Sequence, residues 1–231
     1  MSPMIPVVTI DGPSGSGKGT IAAGLARSLG WHRLDSGALY RSVGLAAALK
    51  GIPLDDEAGL AGMTQGLELR FAEGPDGESI HLEGRDISAA IRSEEAGRAA
   101  SQVAALPAVR RALLARQRAF AVAPGLVADG RDMGTVVFPD ALLKLYLTAS
   151  AEARAERRHK QLIEKGIDVS LRDLSQGIAE RDRRDSSRSV APLCAADDAI
   201  VLDSTDLGPA EVLQQVLQWL RLRGIPVLPK P

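Results

Sequence analysis

IPVVTIDGPSGSGKGT, residues 5–20, is the stretch whose reading decides the architecture. Residues 5–11 form a β-branched apolar run that stops at Gly12-Pro13, the pattern of a buried strand. A helix is expected from about Lys18, with Ile21, Ala22, Leu25, Ala26 and Leu29 on its apolar face and Gly30 as its C-cap. Between them lies Gly12-Pro13-Ser14-Gly15-Ser16-Gly17-Lys18-Gly19-Thr20, a glycine-rich strand-to-helix loop carrying one lysine.

That context suits phosphate. Glycines let the backbone wrap an anion with its N–H groups inward, the helix N-terminus adds a favourable dipole, and Lys18 reaches the β and γ oxygens. The common pattern ends Gly-Lys-Ser/Thr, whereas here Gly19 follows Lys18 and the hydroxyl comes one place later, at Thr20. The usual hydroxyl ligand of Mg²⁺ is therefore displaced. The dinucleotide-binding pattern does not fit, because Gly12, Gly15 and Gly17 have the reversed spacing.

Further along, Ser36 is a plausible N-cap for a helix over 37–49 that closes at Gly51-Ile52-Pro53. LELRFA (67–72) and SIHLEG (79–84) alternate like strands and are joined by the turn-rich Gly74-Pro75-Asp76-Gly77, a small β insertion over about 63–100. Residues 107–121 read as a basic helix opened by proline. Buried strands are expected at 125–129 and 142–147, and a last strand at 199–202. Charged helix covers about 151–188 with a break near Gly166, an amphipathic helix covers 209–223, and a proline-rich tail runs from Ile225. Strands alternating with helices give an α/β fold with a parallel sheet covered by helices on both faces.

Composition sets outer bounds. The 231 residues are 45% hydrophobic and 25% charged, enough for one substantial domain without staples. The lone Cys194 cannot form an internal disulfide, no apolar run suits a signal peptide or a membrane span, and the chain reads as cytoplasmic. A net charge of −1 gives no field for nucleic acid or membrane, although arginines concentrate at 110–118, 154–158 and 181–188, where a small anion fits. His32, His81 and His159 have no partner at metal-ligand spacing, so no protein metal site is expected.

Three further motifs narrow the reading: DSGALYR (35–41), GRDMGT (130–135) and RDRRDSSR (181–188). With the phosphate loop and the β insertion they make the chain, from about residue 5 to about residue 222, resemble the bacterial cytidylate kinases of the P-loop nucleoside monophosphate kinase family. The resemblance implies transfer of the ATP γ-phosphoryl group to CMP or dCMP, with Mg²⁺ bound alongside ATP and the protein a monomer. It implies a core of residues 1–36, 103–153 and 189–231, a CMP-binding domain of 37–102, and a helical lid of 154–188. Residues 12–20 would hold the ATP phosphates, with Arg157 as an additional candidate. Ser36 and Arg41 would meet the acceptor nucleotide, Ser101, Arg110 and Asp132 would read the cytosine edge, and Arg131 would clamp the acceptor phosphate. Arg181, Asp185 and Arg188 would contact sugar and phosphate from the lid.

Elementary chemistry agrees with these roles. A carboxylate such as Asp132 accepts from the exocyclic amine of cytosine but faces an unpaired oxygen in uracil. Arginine forks suit phosphate. Arg181, Asp185 and Arg188 are spaced i, i+4, i+7, hence on one helix face if the helix persists. Catalysis would rest on positioning and charge, carried by Lys18, Arg131, Arg181 and Arg188, without a general base. Asp129 either orients the hydrated metal or is a plain strand-end carboxylate. Taken singly the other motifs have plain readings too: Ser36 a cap, Arg131-Asp132 a turn pair, 181–188 a solvated face. Two rivals remain open: a kinase of the same scaffold acting on AMP, UMP or shikimate, and a nucleotide-binding module without transfer. The Asn-Lys-x-Asp motif of a GTPase is absent.

Overall fold

The computed structural model describes residues 5–74, 77–164 and 166–228. Two compact units emerge from its contacts, one made of 1–35 with 118–231 and the other of 36–117.

The first unit is built on five parallel strands: β1 (Val7–Asp11), β2 (His32–Asp35), β6 (Leu126–Gly130), β7 (Leu143–Thr148) and β8 (Ile200–Asp203), in the order β2-β6-β1-β7-β8. Every residue of β1 and β6 is buried, as continuous apolar runs in a flanked parallel sheet require. Val8, Ile10, Val127, Leu143, Leu145 and Leu147 turn one face toward helix α1 (Lys18–Leu29) and helix α8 (Pro209–Leu222). Gly30 caps α1 in the left-handed conformation, its N–H donating to Ala26 and Arg27 carbonyls. On the other face, a five-residue π-type turn, Met133–Val137, lies against β1. Helices α6 (Ala151–Ile163) and α7 (Leu171–Ser186) pack together, each opened by a serine cap, Ser150 on the Ala153 N–H and Ser170 on the Asp173 N–H.

The second unit holds α2 (Ser36–Lys50), α3 (Glu57–Gln65), the antiparallel strands β3 (Leu69–Gly74), β4 (Gly77–Leu82) and β5 (Arg85–Asp86), α4 (Glu94–Val103) and α5 (Pro107–Arg118) up to residue 117. Its core joins Val43, Ala46 and Ala47 of α2 with Leu60, Ile80, Leu82, Val103, Val109 and Leu113.

Several expectations change. A short strand, β2, separates α1 from α2, and Ser36 is the first residue of α2 rather than the residue capping it. The insertion expected as β over about 63–100 contains α4, which starts at Glu94. Helix α3 was not foreseen. Val109 and Leu113 are buried in the second core, so residues 103–117, grouped above with the phosphate-binding core, lie by contacts in the other unit. Pro75 and Asp76 of the expected turn lie outside the described residues, as do the last three residues of the tail. Residues 225–228 are non-helical, and Leu228 donates its N–H to the Ser28 carbonyl at 2.8 Å.

Candidate active site

The phosphate loop follows β1 directly. Gly12 has φ 154°, and a Cβ there would stand 2.0 Å from the Leu147 carbonyl oxygen, so no side chain fits. Gly15 and Gly17 also have positive φ, and Gly17 is the residue before α1. The loop thus takes a backbone path open to glycine and leads straight into the N-terminus of α1. Lys18 Nζ folds back on the Pro13 carbonyl at 2.9 Å, spanning the loop. Ser16 is buried, Ser14 and Gly15 are partly buried, and Thr20 is exposed on the first turn.

Beneath α1, Asp129 of β6 is register partner to Ile10 of β1 and Asp35 of β2. Side chains at one register position share a face, so Asp35 and Asp129 crowd two carboxylates together. Arg33, two residues before Asp35 and on the same face, answers them: Nη2 lies 3.2 Å from Asp129 Oδ1 and 3.7 Å from Asp35 Oδ2. Burial, then the charge of Asp35, pushes the Asp129 carboxyl up, while Arg33 and Lys18 pull it back. Desolvation and the nearby Arg131 guanidinium push the Lys18 ammonium down, against Asp129 and Asp35.

At the end of β6, Arg131 Nε donates to Asp185 Oδ2 of α7 at 2.9 Å. Burial raises the Asp185 carboxyl but is outweighed by Arg131, Arg188 and Arg181, which hold it below the usual range. Arg188 Nε donates to the Asp185 carbonyl at 3.1 Å. Because α7 ends at Ser186, Arg188 lies past the helix, so the expected single helix face covers only Arg181 and Asp185. Asp132 is buried at the residue before the Met133–Val137 turn. Lys18, Asp129, Arg131, Arg181, Asp185 and Arg188 thus interact electrostatically within one unit.

Arg157 Nη2 donates to the Ser204 carbonyl and, at 3.2 Å, to that of Thr205. Ser204 Oγ in turn is 3.5 Å from the Ser16 carbonyl, so this turn links Arg157 to the phosphate loop.

The second unit carries the other candidates. Ser36 is buried on α2, and Arg41 Nη1 is 3.4 Å from the Ile91 carbonyl. Arg110 is buried on α5, where its guanidinium lies 5.6 Å from the Tyr40 ring centroid and donates to the Ala104 carbonyl at 3.2 Å. Ser101 is buried on α4, which packs along α2.

Sequence reading missed Asp11, Arg33 and Arg154. Arg154 is buried on α6 and donates to the Ala149 carbonyl at 3.0 Å, to the Ser14 carbonyl of the phosphate loop at 2.9 Å, and to Asp182 Oδ2 of α7 at 2.5 Å. Its only sequence signal was membership in an arginine cluster. Among the described residues no group of three or more His, Cys, Asp or Glu is arranged to hold a metal, and no helix is long and apolar enough to cross a membrane.

The cytidylate kinase family profile matches residues 8–222. A cytidylate kinase of Nitrosococcus oceani is 60% identical over 222 residues, covering 95% of this chain and 98% of its own. Those of Stutzerimonas stutzeri and Bordetella bronchiseptica are 60% and 58% identical, with 96% and 94% of this chain covered and 97% and 95% of theirs. The loop, the strand-end carboxylate and the arginines around them therefore stand in a chain that belongs to the cytidylate kinase family.

Proposed function

We propose that the protein transfers the γ-phosphoryl group of ATP to CMP or dCMP, giving ADP and CDP or dCDP. The observation that carries this reading is the convergence, in one unit, of a glycine loop built for polyphosphate with Lys18, Arg131, Arg181 and Arg188. A module that only bound ATP would not need this second set of cations beside the loop.

Residues 12–20 bind the donor phosphates in this reading, with Arg157 supporting them from the Ser204 turn. Lys18 and the arginines offset charge that spreads over the transferred group, and Arg131 clamps the acceptor phosphate. Ser36, Arg41, Ser101 and Arg110 contact the acceptor nucleotide, and Asp132 accepts from the cytosine amine. Arg181, Asp185 and Arg188 contact sugar and phosphate. Closure of a lid over about 154–188 around the substrates would exclude water and suppress ATP hydrolysis.

Mg²⁺ would arrive with ATP and supply positive charge against its phosphates. The residues present fit it: Asp129 is a buried strand-end carboxylate within electrostatic reach of Lys18, held by Arg33, and would orient the ion. The same reading takes the protein as a cytoplasmic monomer acting on small-molecule substrates.

Lys18→Ala tests it. Loss of the cation that spans the loop is expected to lower turnover by at least about 100-fold, in line with removal of one transition-state donor, with an unchanged circular dichroism spectrum. Wild-type turnover in that variant would contradict the mechanism.

A further inference from the structure

Asp11 ends β1 and is 5% exposed. It points to the sheet face opposite Ile10, away from α1, and its two oxygens are both engaged. Oδ1 accepts the Met133 N–H at 2.8 Å and Oδ2 accepts the Gly134 N–H at 2.8 Å. A carboxylate gripping two consecutive amides fixes both the position and the rotation of the chain that begins there.

The segment it grips starts immediately after Asp132. The Asp132 carbonyl accepts from the Val136 and Val137 N–H groups at 2.9 and 3.2 Å, so Asp132 is itself the first residue of the turn's hydrogen-bond ring. A single turn of this kind has little stability of its own, because nucleation fixes several dihedrals for few bonds. It must be held from outside.

The other end is held as well. Arg118 Nε donates to the Val137 carbonyl at 3.0 Å, and its Nη2 donates to the Val136 carbonyl at 3.2 Å. An anion thus sits on the free amides at the start of the turn and a cation on the free carbonyls at its end, each matching the local dipole. Gly134 lets the turn lie flat on the sheet, since a Cβ there would come within 2.9 Å of Thr9 Oγ1 and 3.2 Å of the Lys144 stem.

We propose that Asp11 and Arg118 form a two-ended clamp that positions Asp132, and are thereby determinants of cytosine selectivity. This rests on the reading that Asp132 recognises the cytosine edge. Neither residue need touch a substrate. Both act by fixing the turn, and Asp11 adjoins Gly12, so one residue ties the start of the donor loop to the element that carries the base-reading carboxylate.

The test compares CMP and UMP as acceptors, taking the ratio of their kcat/KM values, because a fault in ATP handling or in the folded fraction cancels in that ratio. Asp132→Ala is the reference and is expected to lose most of the discrimination. Asp11→Asn puts an amide donor against a backbone donor and is expected to lower the ratio at least tenfold. Arg118→Ala, at an exposed position, folds irrespective of the fate of Asp11→Asn and is also expected to lower it. Arg118→Lys, which keeps one donor, should recover part of the loss. Collapse in Asp132→Ala with wild-type ratios in Asp11→Asn and Arg118→Ala overturns the clamp and leaves the base-reading intact. An unchanged ratio in Asp132→Ala overturns the base-reading and, with it, the selectivity role of the clamp.

Discussion

Arg131 and Asp185 meet as a half-buried ion pair, Nε to Oδ2 at 2.9 Å, that joins the end of β6 to the last turn of α7. The pair does two jobs under the proposed mechanism. It orients the arginine fork toward the acceptor phosphate, and it ties that fork to the helix that carries Arg181. Asp185→Ala leaves Arg131 without this orientation. We expect kcat/KM for CMP to fall by roughly tenfold to a hundredfold, the range of one lost charge-assisted hydrogen bond, and initial-rate measurements decide it. An unchanged value would mean that Arg131 is held by other contacts.

Arg154 links α6, the phosphate loop and α7 at once, through Ala149, Ser14 and Asp182. Removing it strands the Asp182 carboxylate and two carbonyls. Arg154→Ala should cost on the order of 3 kcal/mol in urea unfolding, as for other broken buried pairs. It should also speed amide exchange along α7. Stability within about 0.5 kcal/mol of wild type, the usual range for a surface substitution, would show that the link is incidental.

Asp11 gives stability a particular pH dependence. Burial, opposed by the amides of Gly134 and Met133, pushes its carboxyl up to about 6 from the ordinary value of 3.8. The folded chain therefore binds this proton more tightly than the unfolded chain does, and the group's favourable contribution is present below about pH 4 and lost as pH rises through about 6. A shift of roughly two units corresponds to about 3 kcal/mol. Asp11→Asn removes the titration. The unfolding free energy of the variant minus that of wild type should move in the variant's favour by about that amount between pH 4 and pH 7. Urea titrations at the two pH values check it, and a pH-independent difference would contradict it.

How much of this was legible in the sequence varied with the kind of signal. β1, the phosphate loop and α1 were readable because apolar run, glycine spacing and amphipathic face agree over consecutive residues. β2 was not, since only Leu34 of its four residues is fully buried. Helix α4 hid inside a strand-rich insertion because it packs through small residues. A Cβ on Gly44 would come within 2.8 Å of the Ala99 Cβ, so α2 and α4 approach through alanine and glycine, which carry a weak hydropathy signal. Its cap, Ser93 accepting from the Ala96 N–H, was the available cue.

The site divides in the same way. Lys18 announced itself through motif spacing, and the arginines of 131 and 181–188 through motifs that jointly resemble a family. Asp11, Arg33 and Arg154 act across long sequence separations, Asp11 on residue 133 and Arg154 on Ser14, and no local pattern encodes such pairs. The helical spacing of Arg188 misled because the chain leaves α7 at Ser186, where local periodicity no longer describes the backbone.

The most direct test of the account is a coupled ADP-release assay with ATP and Mg²⁺ against CMP, dCMP, UMP and AMP in parallel. Strong turnover is expected with CMP and dCMP, and weak turnover with UMP and AMP. Preference for UMP or AMP, or no turnover with any of the four by folded protein that still binds ATP, would contradict it.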